Sequence, residues 1–109
     1  MIKYYPYKSD KPNKKFFIIT DDNRKVYFGQ AGASDMTIHK NEVRKLLYIN
    51  RHKKREEHLW NKSGINSPSF WSVKFLWSYP TKQEAYKKIK DDLLKWGVIS
   101  KDQYNQYVF

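Results

Sequence analysis

The hydrophobic and polar positions in the first third of the chain predict a β-hairpin. Residues 15–20 (KFFIIT) and 25–28 (KVYF) are rich in aromatic and β-branched side chains. Between them, residues 21–24 (DDNR) are typical of a turn. Gly29 and Gly32 end the second strand and permit a positive φ in the loop that follows.

A long helix is predicted over residues 41–61. Asn41 is a suitable N-cap, and Glu42 is favourable in the first turn because the helix dipole stabilises negative charge there. The first half carries an apolar stripe at helical spacing, formed by Val43, Leu46 and Leu47. Beyond Asn50 charged residues replace the stripe, so residues 51–58 are expected to project at the surface.

The last long helix has the clearest boundaries. Residues 81–84 (TKQE) have the form of a capping box, and Gly97 is a suitable C-terminal stop. Its predicted buried stripe consists of Ala85, Ile89, Leu93 and Trp96. Residues 100–103 (SKDQ) repeat the capping pattern and predict a short terminal turn.

The aromatic segment 70–79 fits two structures. Its alternate residues are apolar, as in a strand, but Trp71 and Phe75 are also spaced for a helix, which Ser69 can cap. Because Phe70 and Leu76 on the other face also need burial, we favour a short buried helix. The tryptophans Trp71, Trp77 and Trp96 are expected in the core.

These elements define an α+β fold. We expect an N-terminal β-hairpin packed on two or three helices, with the basic central helix exposed. Residues 1–14 contain two prolines and are interpreted as an extended basic and aromatic arm. Residues 15–99 form the single compact domain, and residues 100–109 an aromatic tail or short helix.

Composition restricts the function. The 109 residues contain 22 Lys and Arg against 11 Asp and Glu, a net charge of +11. Such an excess opposes folding and favours a polyanionic partner. Without cysteine, disulfides and thiolate metal sites are excluded. We expect a protein that is neither secreted nor inserted in a membrane, since no apolar segment reaches signal-peptide or membrane-spanning length.

The predicted polyanion-binding patch lies on the central helix. It comprises Arg44, Lys45, Arg51, His52, Lys53, Lys54 and Arg55. Lysines of the arm extend it, namely Lys3, Lys8, Lys11, Lys14 and Lys15. The alternative is an ordinary solvated helix face that Glu56 and Glu57 partly neutralise.

Catalytic and metal-binding residues are sparse. His52 and His58 are six positions apart on the predicted helix, so they cannot share a metal ion. His52 and Glu56 have i, i+4 spacing, which is more often a surface contact, and His39 is interpreted as structural. We therefore expect no enzyme, no metal and no cofactor.

A set of unusual residues carries a resemblance. The resemblance covers about residues 15–90 and rests on the order of FG, SDMTIHK, Arg44, YINRH, Trp60, FWS, LW and PT. With this order the chain resembles an uncharacterised family of short basic proteins from large DNA viruses, some algae and some phages. The positions that match the family pattern have no known role. They are Asp35, Thr37, His39, Tyr48, Arg51 and His52. The resemblance implies a viral or virus-derived origin and no activity.

The combined expectation is a non-enzymatic, virus-encoded virion protein. It contacts packaged nucleic acid, DNA first, or acidic capsid surfaces through charge, in the virion or inside the infected cell, with multi-copy assembly possible. The first alternative is a minor capsid or cement protein with protein partners only. The second is a small nuclease that uses His39 and His52.

Overall fold

The computed structural model describes all residues, 1–109, and begins with a three-stranded antiparallel sheet in the order β1-β2-β3. The strands are β1 (Tyr7–Lys8), β2 (Lys14–Ile19) and β3 (Lys25–Gln30). Strands β2 and β3 form the predicted hairpin, with Phe16 opposite Phe28. The turn uses Asn23, whose φ of 64° is left-handed, a conformation that asparagine tolerates.

Five α-helices follow the sheet and confirm the α+β class, with more helices than predicted. They are α1 (Met36–His39), α2 (Glu42–Glu56), α3 (Pro68–Trp71), α4 (Lys82–Lys95) and α5 (Lys101–Gln106). Two 3₁₀ turns, Glu57–Leu59 and Lys62–Gly64, connect α2 to α3, and a π-helical segment, Ser72–Trp77, extends α3. None of these helices combines the length and the apolar character needed to cross a bilayer.

The core lies between the sheet, α3 with its π-helical segment, and α4. Its fully buried aromatic residues include Phe28, Phe70, Trp71 and Phe75. The stripe predicted for α4 supplies Ala85, Ile89 and Leu93, all at most 2% exposed. Segment 70–79 is helical, as favoured, but only Trp71 of the three predicted core tryptophans is fully buried. Trp77 and Trp96 are half-buried and pack against the core margin.

The central helix differs from its prediction in length and orientation. Asn41 caps it as expected, accepting bonds from the backbone N–H groups of Val43 and Arg44, but α2 ends at Glu56 rather than residue 61. Its apolar stripe points outward, with Val43, Leu46 and Leu47 exposed by 65%, 55% and 61%. The helix packs instead through a different face, because Tyr48 stacks against Trp77 of the π-helical segment.

Both chain ends pack against the domain. Tyr4 is 1% exposed and its backbone carbonyl accepts a hydrogen bond from the Tyr86 hydroxyl at 3.1 Å, while β1 pairs with β2. At the other end, Ser100 and Gln103 form the predicted capping box of α5, and Tyr107 is 3% exposed. Residues 1–14 and 100–109 therefore contribute to the same core.

Two glycines at positive φ provide a test of this packing. A Cβ at Gly29 (φ +76°) would lie 2.9 Å from Leu76 Cδ1, whereas a Cβ at Gly32 (φ +85°) meets no atom within 4 Å. Gly32→Ala should therefore cost only the left-handed backbone penalty, about 1–2 kcal/mol. Gly29→Ala should add about 1–3 kcal/mol of overpacking, measured by urea unfolding. Equal losses in the two variants would contradict the close approach of Leu76 to Gly29.

Candidate functional site

Two neighbouring cavities share one wall. The larger, about 550 Å³, lies beside β1, β2 and α1, and is named here the lysine cleft. It is lined by Lys8, Ser9, Lys11, Pro12, Lys14, Lys15, Phe16, Ala31, Gly32, Asp35, Ile38 and Lys82. The smaller, about 310 Å³, is named the histidine pocket and is lined by Lys15, Gly29, Gln30, Ala33, Ser34, Asp35, Tyr48, His52, Ser72, Leu76 and Trp77. Lys15 and Asp35 border both.

The shared wall is a buried ion pair. The Nζ atom of Lys15 lies 2.5 Å from Oδ2 of Asp35, whose side chain is only 2% exposed. The other carboxylate oxygen, Oδ1, caps α1 by accepting bonds from the backbone N–H and the hydroxyl of Thr37, at 2.9 and 2.5 Å. Asp35 thus fixes α1 to β2 and holds the lysine between the two cavities.

The lysine cleft collects cations from three parts of the chain. Lys8 lies in β1, Lys11 and Lys14 flank the start of β2, and Lys82 begins α4. Lys82 donates to the Thr37 hydroxyl at 3.1 Å, and Lys11 lies over the Tyr27 ring at 4.2 Å. Lys8, Lys11 and Lys14 form no ion pair. Asp35 is the one carboxylate among five lysines in this lining, so the cleft is strongly cationic.

A column of stacked rings forms one side of the histidine pocket. The Tyr48 ring lies 4.1 Å from the Trp77 ring at an interplanar angle of 5°, and 4.3 Å from the His52 ring on the same helix. Burial, with a smaller contribution from Glu56, raises the pKa of Tyr48 to about 12. Tyr48 therefore acts as a neutral aromatic spacer that holds α2 against the π-helical segment.

A chain of hydrogen bonds fixes His52. Its Nδ1 atom lies 2.6 Å from Oε2 of Glu56, and Oε1 of Glu56 accepts from the Ser69 hydroxyl at 2.6 Å. Ser69 in turn accepts from Nε1 of Trp60 at 2.9 Å. Burial acts to raise the pKa of Glu56, but the hydrogen bonds from Ser69 and His52 outweigh it and lower that pKa. Glu56 is consequently ionised near neutral pH and orients the imidazole.

His39 lies behind the stacked rings and lines neither cavity. Its ring is 5.3 Å from Trp77, and its Nδ1 atom accepts the backbone N–H of Asn41 at 2.9 Å. Its Nε2 atom is buried without a partner. Burial of the imidazole and the nearby charge of Arg44 lower its pKa, with Asp35 opposing them. The hydrogen bond to Asn41 places His39 at the junction of α1 and α2.

The residues predicted from sequence separate into three groups. Asp35 lines the lysine cleft and accepts a bond from Thr37 behind it, while Tyr48 and His52 line the histidine pocket. The exposed cations of α2 are Arg44, Arg51, Lys53, Lys54 and Arg55, with Lys45 half-buried. His52 does not belong to this basic face, because it turns toward Glu56.

Sequence reasoning gave no site role to Lys82, Glu56 or Ser69. The i, i+4 spacing of His52 and Glu56 was a usable signal, although it was interpreted as a surface contact. No comparable signal marked Lys82 or Ser69, because their partners are distant in sequence. Thr37 is 45 residues from Lys82, and Glu56 is 13 residues from Ser69.

Comparison with known proteins gives one partial match. A model described as a family of unknown function (DUF5754) matches residues 7–52. This stretch runs from β1 to His52 and includes Lys15 and Asp35, but not Glu56, Trp77 or Lys82. No curated protein and no solved structure matches the chain. The viral origin stays a prediction.

The lowered pKa of His39 should make the free energy of unfolding depend on pH. Its folded pKa lies below its ordinary value of about 6.5, so the unfolded chain binds the proton first. The free energy of unfolding should therefore fall as the pH drops below about 6.5 toward the folded pKa, and be unaffected by this group above 6.5. His39→Asn should weaken that dependence in urea unfolding at several pH values. The exposed His58, replaced in His58→Asn, is the control, and an unchanged dependence in His39→Asn would contradict the assignment.

Proposed function

We propose that the chain binds nucleic acid and holds the phosphodiester backbone in the lysine cleft. The observation that supports this most directly is the convergence of five lysines and one carboxylate on one concave surface. Lysine ammonium groups neutralise phosphates and displace condensed counterions at any sequence. Lys8, Lys11 and Lys14 are available for this because no carboxylate pairs with them.

The exposed face of α2 adds a second cationic surface. Arg44, Arg51, Lys54 and Arg55 form no ion pair, whereas Lys53 lies 3.4 Å from Glu57. We assign this face to steering and to added affinity, and the contacts with the phosphates to the cleft. The sequence resemblance favours DNA as a bound polymer, and the cleft would hold the backbone of RNA as well. Phosphate contacts alone do not distinguish DNA from RNA.

Replacing the three unpaired cleft lysines tests this function. Lys8→Gln/Lys11→Gln/Lys14→Gln should lower affinity for a single-stranded oligonucleotide and reduce the slope of log K against log salt by about 2–3. The matched control, Lys62→Gln/Lys95→Gln/Lys101→Gln, removes the same charge from exposed lysines outside both cavities. Fluorescence anisotropy over a salt series measures both. An equal loss in the control would mean that net charge, rather than the cleft, binds the polymer.

Protein docking is the second candidate function, and the outward stripe of α2 favours it. Val43, Leu46 and Leu47 are each more than half exposed, as is Ile38 of α1 at 59%. Exposed aliphatic clusters on soluble proteins mark interaction sites. Arg44, Arg51 and Lys54 carry unpaired charge on the same helix, so the partner we expect is an acidic protein surface, as in the minor capsid alternative.

The stripe should be dispensable for folding. Leu46→Gln/Leu47→Gln should change the free energy of unfolding by less than about 0.5 kcal/mol, as exposed substitutions do. Leu93→Ala in the core should cost about 2–5 kcal/mol. The double variant should also lose acidic proteins that co-purify with the wild type, while the cleft lysine variant retains them. A large stability loss in the double variant would show that the stripe belongs to the fold instead.

A further inference from the structure

His52 is held by more groups than an exposed His–Glu pair on a helix needs. An exposed ion pair on a helix contributes about 0.3–0.5 kcal/mol and needs no third group. Here Trp60 donates to Ser69, Ser69 donates to Glu56, Glu56 bonds to Nδ1 of His52, and Tyr48 packs against the imidazole ring. Since Nδ1 is occupied by Glu56, Nε2 is the ring nitrogen left for a ligand.

The histidine pocket places this imidazole next to the lysine cleft. His52 and Lys15 line the same 310 Å³ cavity, and Lys15 also lines the lysine cleft. The π-helical segment contributes Ser72, Leu76 and Trp77 to the wall, and such segments are frequent at functional sites. A strand that extends from the cleft past Lys15 and Asp35 therefore meets an oriented acid–base group.

We propose that His52, in the histidine pocket, acts as the acid–base group that cleaves a phosphodiester bond of RNA bound in the lysine cleft. This inference rests on the proposed function. The chain places no group of three or more His, Cys, Asp or Glu side chains to hold a metal ion. One acid–base residue suffices when the substrate carries its own nucleophile, because the reaction is then intramolecular. RNA meets this requirement through its 2′-hydroxyl.

Each group has one role in the step. Nε2 of His52 accepts the proton of the 2′-hydroxyl as the hydroxyl oxygen bonds to phosphorus. The bond from phosphorus to the 5′-oxygen breaks on the opposite side, and that oxygen takes a proton from water. His52 then returns its proton to the hydroxide that is left. The products are a 2′,3′-cyclic phosphate and a 5′-hydroxyl, so no co-reactant is consumed. The unpaired lysines of the cleft hold the neighbouring phosphates, and Glu56 is a positioning residue.

The test uses the full chain and an end-labelled RNA oligonucleotide of mixed sequence, with EDTA present. Wild type should release fragments ending in a 2′,3′-cyclic phosphate and should leave the all-deoxy oligonucleotide intact. His52→Gln should lower the rate by about 10²–10⁴-fold while retaining RNA binding. Glu56→Gln should lower kcat with little change in KM, which loss of a purely structural contact would not produce. His58→Gln, in the 3₁₀ turn that follows α2 and exposed, should match the wild type.

The outcomes separate this inference from the proposed function. RNA that is bound but not cleaved overturns the acid–base role and leaves nucleic-acid binding intact. RNA that is neither bound nor cleaved overturns both. Cleavage that persists in an identically purified His52→Gln protein belongs to a contaminant or another residue, and also overturns the proposal.

Discussion

The buried pair of Lys15 and Asp35 is the interaction on which the described site depends. It joins β2 to the first turn of α1 and separates the lysine cleft from the histidine pocket. Removing one partner of a buried pair costs roughly 3–5 kcal/mol, because the other charge remains buried without compensation. The pair therefore holds the Lys15 ammonium group in one position. A solvated lysine would instead sample many side-chain conformations.

Helix α2 has two faces that could pack against the domain, an aromatic face with Tyr48 and an aliphatic face with Leu46 and Leu47. Stacking of Tyr48 on Trp77 buries aromatic surface and brings His52 and Glu56 to the domain. The aliphatic face with Leu46 and Leu47 is left outside, where it contributes nothing to the core. The same rotation of the helix exposes its arginines and lysines. One stacking contact thus accounts for the inward histidine, the outward cations and the exposed stripe.

Local sequence signals predicted much of the fold. The turn at residues 21–24 and the N-caps Asn41 and Thr81 act through neighbouring backbone groups and were found as expected. Only half of the TKQE capping box forms, because Thr81 accepts from the backbone N–H of Glu84 but the Glu84 side chain returns no bond. The inward face of α2 was not predicted, because Val43, Leu46 and Leu47 have the spacing of a buried stripe. The site was predicted only in part. Asp35, Tyr48 and His52 were identified, but Lys82 and Ser69 reach it through contacts that only the folded chain makes.

The central claim is that the cleft, rather than the charged helix, contacts the phosphates. Backbone amide NMR of the ¹⁵N-labelled chain, titrated with a single-stranded oligonucleotide at moderate salt, tests it most directly. The account predicts that the largest shifts fall on residues 8–15, on residues 31–38 and near Lys82. Shifts confined to residues 51–55, or spread evenly over every exposed lysine, would contradict it.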